Sequence, residues 1–149
     1  MLRTAVLGAA LALVAMGGAM AADTELADPA PGWDNPRRIM LQLTSDDPGR
    51  VNGILHNAVN LQKFYGQDNV QVAIIAYGAG VRAVLAASSP VKERVASLLQ
   101  YDVEFVACGN TMTAIGKSES DLLPGVRVAT AGIAEIVERK LKGWHYIVP

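Results

Sequence analysis

The sequence predicts an α/β fold, a three-layer α/β/α sandwich built on a five-stranded parallel sheet. Five short apolar runs alternate along the chain with segments whose apolar residues recur at helical spacing. The loops between them are short, which favours parallel strands covered by helices on both faces. At 149 residues, the chain has the size of one domain.

The first strand and helix are predicted from a change in apolar spacing. Residues 38–44 form a compact apolar run that ends in a loop around Pro48. From Val51 the apolar residues recur every three or four positions, which predicts a helix that ends at Gly66. Residues 70–76 are again almost wholly apolar and predict the second strand.

A glycine-rich turn follows the second strand and leads into a short alanine-rich helix. Residues 78–83 also fit a variant of the dinucleotide-binding pattern. That pattern normally follows the first strand of its unit, so a plain strand-to-helix turn is the preferred interpretation. Ser89 and Pro90 then predict the start of another helix, with the serine as its cap and the proline in its first turn.

The second half of the chain repeats the alternation of strands and helices. It predicts a strand at residues 103–107, a short helix at 110–117, a strand at 126–129 after a polar turn, a helix that Gly143 ends, and a last strand at 144–148. The last helix has an apolar stripe that we expect to be buried: Ile133, Ile136, Val137 and Leu141. In the first helix, we also expect the aromatic residues Phe64 and Tyr65 to be buried.

The N-terminal segment predicts export. Arg3 gives a short positive region, residues 5–19 are apolar and uncharged, and Ala19 and Ala21 place small residues where a signal peptidase reads. The apolar run is shorter than the roughly 20 residues that span a bilayer. We therefore expect a periplasmic or secreted protein with no stable membrane insertion after leader removal. The expected organisation is a signal peptide at 1–21, a flexible lead-in at 22–36 and a folded domain at 37–149.

The charge pattern argues against nucleic acid as a partner. The chain has 13 basic and 14 acidic residues, a formal net charge of -1, and no basic stripe or cluster of aromatic residues with arginines.

The single cysteine, Cys108, is the main candidate for chemistry. An exported chain with one cysteine forms no internal disulfide, so Cys108 is a buried inert thiol, a reactive thiol or an intermolecular bridge. It follows the third predicted strand, at the sheet edge where ligands gather in parallel sheets. Gly109 lets the chain turn there and Asn110 suits the cap of the next helix, whose free N–H groups favour a thiolate.

Other polar residues are expected at the same edge. Arg82, in the turn after the second strand, would hold an anionic substrate or stabilise the thiolate, with a solvated arginine as the alternative. Asp46 and Asp47 are expected to be turn and cap residues. Cys108 and Met112 have a spacing that would suit Cu(I), but Met112 is more simply a core residue. We expect no cofactor.

Several stretches resemble the DsrE/DsrF-like family of sulfur-relay proteins, from about Ile39 to the end of the chain. They are residues 105–112 (FVACGNTM), 121–126 (DLLPGV), Gly132 and 143–149 (GWHYIVP). The resemblance implies a five-stranded parallel sandwich, often assembled as homo- or hetero-oligomers. It also implies sulfur carried as a persulfide on Cys108. The best-understood carriers of the family work in the cytoplasm, whereas the leader of this chain predicts export.

Two functional hypotheses follow. In the first, the protein is an exported sulfur carrier with a persulfide on Cys108, where Gly109, Asn110 and Thr111 offer backbone donors and Arg82 an anion contact. Its partners would be further copies of the chain, together with unidentified sulfur donors and acceptors, either proteins or small sulfur compounds. In the second, the same fold is a non-catalytic binding or assembly module, including a Cu(I) binder.

Overall fold

The computed structural model describes residues 23–149. Its strands are β1 (Arg37–Leu43), β2 (Val70–Ala76), β3 (Glu104–Cys108), β4 (Arg127–Ala129) and β5 (His145–Ile147). Its α-helices are α1 (Pro48–Tyr65), α2 (Lys92–Gln100), α3 (Gly109–Ala114) and α4 (Gly132–Leu141), and 3₁₀ segments cover Gln67–Asn69, Gly78–Val84 and Glu119–Asp121. The predicted signal peptide, residues 1–21, lies outside the described residues, as does residue 22.

All five strands are parallel, in the order β4-β3-β2-β1-β5. Because side chains alternate between the two faces of a strand, the sheet has two separate cores. The larger core lies between the sheet and α1 and α2, and the smaller core lies under α4. The predicted α/β/α sandwich with a five-stranded parallel sheet is therefore confirmed.

The start and end of α1 are set by local chemistry. Asp47 caps the helix, because its Oδ1 accepts a hydrogen bond of 2.8 Å from the Arg50 N–H. Pro48 occupies the first turn, so the helix begins three residues before the helical spacing that starts at Val51. Gly66, where the sequence predicts the end of the helix, has a φ of 87°. The apolar face of α1 packs on β1 and β2.

The segment between β2 and α2 differs from its prediction. The expected alanine-rich helix is a 3₁₀ segment, Gly78–Val84, which we call the 78–84 turn. The next helix starts at Lys92, later than Ser89 and Pro90 predict. The Ser89 hydroxyl instead closes a turn, donating to the Ala83 carbonyl at 2.6 Å and accepting from the Val91 N–H at 3.2 Å.

The predicted buried stripe of α4 is wrong for three of its four residues. Ile136 is buried, but Ile133, Val137 and Leu141 are 56%, 48% and 77% exposed. The helix faces the sheet through Gly132, Ile136 and Arg139 instead, which recur at the same helical period. Phe64 was also expected in the core and is half exposed, whereas the neighbouring Tyr65 is partly buried.

Arg139 anchors α4 to the amino ends of β3 and β5. Its guanidinium contacts Glu104 at 2.8 Å and Glu135 at 2.7 Å, and lies 4.6 Å from the centroid of the Trp144 ring. These partners compensate the burial of the charge, which explains how a basic residue occupies a position in the packed face of the helix.

The segment before β1 is exposed from residue 23 to residue 30. Arg37 Nη2 donates a hydrogen bond of 2.5 Å to the Ala27 carbonyl and ties this segment to the start of β1. Within residues 23–149, no helix combines the length and apolar character needed to cross a bilayer.

Candidate functional site

The carboxyl ends of β1 and β2 are joined by a close backbone contact. The Tyr77 N–H donates to the Leu43 carbonyl at 3.1 Å, and Gly80 then packs directly on that carbonyl and on the Thr44 amide. The glycine pattern at residues 78–80 thus serves backbone packing, in agreement with its interpretation as a turn. This contact places Gly78 next to the start of α3.

Cys108 is the last residue of β3, at the carboxyl edge of the sheet where the sequence predicts it. The predicted cap of the next helix is wrong: Cys108 itself, not Asn110, is the N-cap of α3, and Asn110 lies in the first turn. In the sheet, β3 lies between β2 and the edge strand β4. The segments that follow β2 and β4 therefore approach Cys108 from either side. Only 6% of Cys108 is exposed. A reagent can therefore contact only a small part of Cys108, at the carboxyl edge of the sheet.

Neutral hydrogen-bonding groups surround the sulfur. Burial acts to raise the pKa of the Cys108 thiol, but the Thr111 hydroxyl and the amides of Gly132, Thr111 and Asn110 together lower the pKa below its ordinary value. The Asn110 amide makes the smallest of these contributions, and its N–H donates to the Thr130 carbonyl at 2.9 Å. The arrangement favours the thiolate, which is the nucleophilic form of cysteine.

Gly132 brings the start of α4 against the sulfur. A Cβ atom at this position would lie 3.2 Å from both Cys108 Cβ and Tyr77 Cβ, so the close approach depends on glycine. Gly132 is not among the site residues that the sequence predicts. Its place among the residues that resemble the sulfur-relay family was the one available signal.

Thr111 links the sulfur to the 78–84 turn. Its Oγ1 accepts a hydrogen bond of 3.2 Å from the Gly78 N–H, and its hydroxyl makes the largest contribution that lowers the pKa of Cys108. The sequence predicts a backbone donor at this residue, and the structure adds the side chain. Gly109, also expected as a donor, is not among the groups that shift the pKa of Cys108. It packs against the end of β4, where a Cβ would lie 3.3 Å from the Ala129 carbonyl oxygen.

Arg82 lies at the predicted edge but has another partner. Its Nη1 is 3.8 Å from Asp46 Oδ2, and both side chains are about half exposed. Arg82 is not among the groups that shift the pKa of Cys108. Any anion that it binds must compete with the carboxylate of Asp46.

Met112 is a core residue, with 3% of its surface exposed. Across residues 23–149, no three His, Cys, Asp or Glu side chains are grouped closely enough to hold a metal ion. His145 begins β5, three strands away from β3 in the sheet, and His56 is exposed on α1.

Comparisons with known proteins agree with this fold. One solved structure, of a protein of unknown function (MTH1491) from Methanobacterium thermoautotrophicum, is similar with a TM-score of 0.72 and 34% sequence identity. The match covers 76% of this chain and 99% of that one. The ychN protein from E. coli has a TM-score of 0.64 at 17% identity over the same shares of the two chains, which supports the fold alone.

A comparison with curated proteins gives no match. The model of the DsrE/DsrF-like family, in contrast, matches residues 38–149, which include all five strands apart from Arg37, the first residue of β1, and every group that shifts the pKa of Cys108. With the parallel sheet and its structural neighbours, this match shows that the chain belongs to the DsrE/DsrF-like family.

Proposed function

We propose that this protein is an exported sulfur carrier that holds sulfur as a persulfide on Cys108 and passes it to an acceptor. The observation that carries the proposal is the set of neutral donors around the sulfur, supplied by Thr111 and by the starts of α3 and α4. Such donors stabilise a thiolate, and the thiolate is required both to accept sulfur and to release it.

Loading begins with attack of the Cys108 thiolate on a sulfane sulfur of the donor, for example a polysulfide. The bond between Cys108 Sγ and the transferred sulfur forms, and the S–S bond of the donor breaks. The shortened polysulfide leaves with the electron pair. In unloading, an acceptor thiolate attacks the outer sulfur, and the electron pair returns to Cys108 Sγ.

The small exposed fraction of Cys108 suits an oxidising compartment. A freely exposed thiolate there is readily converted to mixed disulfides or oxidised further. With 6% of the residue exposed, small sulfur species have an advantage over bulky disulfides in reaching the sulfur.

The exposed stripe of Ile133, Val137 and Leu141 supports a homo-oligomer as the form in which the carrier works. Exposed apolar surface of this kind is commonly covered in assemblies. Ile133, the first residue of the stripe, directly follows Gly132. A second copy that packs on this stripe would therefore lie beside the Cys108 sulfur. Native mass spectrometry of the full chain gives the number of copies.

The test is intact-mass analysis after exposure to polysulfide. We expect wild-type protein to gain the mass of one or more sulfur atoms, a reducing agent to remove them, and Cys108→Ser to gain none. Met112→Leu is the matched control for the neighbouring sulfur and should load like wild type, because Met112 packs in the core. The absence of any adduct on wild-type protein, or an equal adduct on Cys108→Ser, would overturn the proposal.

A further inference from the structure

We propose that the cavity between the carboxyl ends of β1 and β5 is a binding site for a small organic carboxylate, held by the Arg50 guanidinium and by the hydroxyls of Thr44 and Ser45. The cavity has a volume of about 390 Å³, which is within the range of small-molecule sites. Cys108 does not line it, so this binding does not depend on the proposed function.

The position of the cavity follows from the topology of the sheet. The order β4-β3-β2-β1-β5 follows the chain backwards as far as β1 and then passes to β5, so the strand order reverses between β1 and β5. The helix after β1, α1, packs on one face of the sheet, whereas the helix before β5, α4, packs on the other. In parallel sheets, ligands bind in the crevice at such a point, beyond the carboxyl ends of the strands. Thr44, Val148 and α1 border the cavity in this crevice.

The cavity contains a positive charge without an ionic partner. Arg50 lines it, and among residues 23–149 no carboxylate lies within ion-pair distance of the Arg50 guanidinium. The acidic residues nearest in sequence are engaged elsewhere, because Asp46 pairs with Arg82 and Asp47 caps α1. No acidic residue of the described chain lines the cavity. An anion that enters it therefore does not compete with a carboxylate of the fold for Arg50.

Two hydroxyl groups in the cavity wall are arranged as donors. Gln42 Nε2 donates a hydrogen bond of 3.3 Å to Thr44 Oγ1. The Asp47 N–H donates a hydrogen bond of 3.1 Å to Ser45 Oγ. Each hydroxyl oxygen thus accepts a bond from the fold, and its own proton is left to donate to a ligand. With the guanidinium fork of Arg50, these protons match the two oxygens of a carboxylate.

The remaining wall determines the rest of the ligand. Ile54 and Val148 provide apolar surface, and Asn57 provides an amide that both donates and accepts. Gly53 leaves space in the wall, because no atom lies within 4 Å of its missing Cβ. Arg50 is the one basic residue in the described lining, which favours a singly charged carboxylate over a phosphate. A molecule with one carboxylate, an amide and an aliphatic group matches this lining.

The test titrates the ¹⁵N-labelled full chain with N-acetylleucine, which carries these three groups, and follows the backbone amides by NMR. We expect saturable shifts at Ser45, Gly53 and Asn57. N-acetylleucinamide, which lacks the charge, should bind about tenfold more weakly or worse, because the charged hydrogen bonds to Arg50 are lost. No saturable shift with N-acetylleucine, or equal affinity for the neutral amide or for inorganic phosphate, would overturn the proposal.

Two substitutions test the site itself. Arg50→Gln should weaken binding of N-acetylleucine about tenfold, and the exposed position of Arg50 allows the variant to fold. Gly53→Leu should abolish binding, because the new side chain would occupy the cavity. His56→Leu is the matched control, since it adds the same side chain to an exposed position of α1 outside the cavity, and it should bind like wild type. If Gly53→Leu binds as tightly as His56→Leu, or if Arg50→Gln binds like wild type, the assignment is wrong.

Discussion

Replacing Gly80 with alanine is expected to destabilise the protein by about 3 kcal/mol or more. A Cβ at this position would overlap the Leu43 carbonyl oxygen, and it would lie 2.5 Å from the Leu43 carbonyl carbon and 2.9 Å from the Thr44 nitrogen. These are backbone atoms at the end of a buried strand that is paired with β2, so no side chain can move aside to relieve the overlap. The alternative, displacement of the 78–84 turn, would break the backbone contacts of Tyr77 and Gly80.

The measurement is the free energy of unfolding in urea, with Gly53→Ala as the control. Gly53 lies on an exposed part of α1 with no atom within 4 Å of its missing Cβ. Alanine there should leave stability unchanged or raise it by up to about 1 kcal/mol, since alanine favours helices over glycine. If Gly80→Ala is as stable as Gly53→Ala, the close contact between the turn and β1 does not exist in solution.

Gly132→Ala is expected to slow alkylation of Cys108 about tenfold at mildly acidic pH. The added methyl group would lie 3.2 Å from Cys108 Cβ and from Tyr77 Cβ, both fixed at the ends of strands or just beyond them. Contacts this short require a shift of a few tenths of an ångström. We expect the start of α4 to move outward, which withdraws the Gly132 amide from the sulfur and places a methyl group beside it. The crowding should also cost about 1–2 kcal/mol of stability.

The control for Gly132→Ala is Ala134→Gly, on the exposed side of the same helix. Glycine in a helix interior costs about 1 kcal/mol, so this variant weakens α4 without touching the sulfur. It should alkylate like wild type. If Gly132→Ala and Ala134→Gly react at the same rate, the start of α4 contributes nothing to the thiolate.

The strands and the position of Cys108 were predictable because each depends on local information. A short apolar run between turn residues indicates a buried strand, and the residue after such a run lies at the carboxyl edge of a parallel sheet. The expected role of Asp47 as a cap residue is likewise local and is confirmed at the start of α1.

The surroundings of the sulfur were not predictable in the same way, because they join distant parts of the chain. The Gly78 amide meets a hydroxyl 33 residues further on, and the Gly132 amide meets Cys108 through a helix that follows the next strand. Apolar spacing carries no information about such pairs. It also failed to show which side of α4 faces the sheet, because Arg139 occupies the packed face with its own ionic partners.

Neutral groups of the fold lower the pKa of the Cys108 thiol and so favour the thiolate. The direct measurement is the pH dependence of Cys108 alkylation in the native chain and in the same chain unfolded in urea. The predicted midpoint of the native protein lies below that of the unfolded protein and changes little with salt, since nearby dipoles are screened far less than exposed charges. A native midpoint equal to or above the unfolded one would contradict the claim.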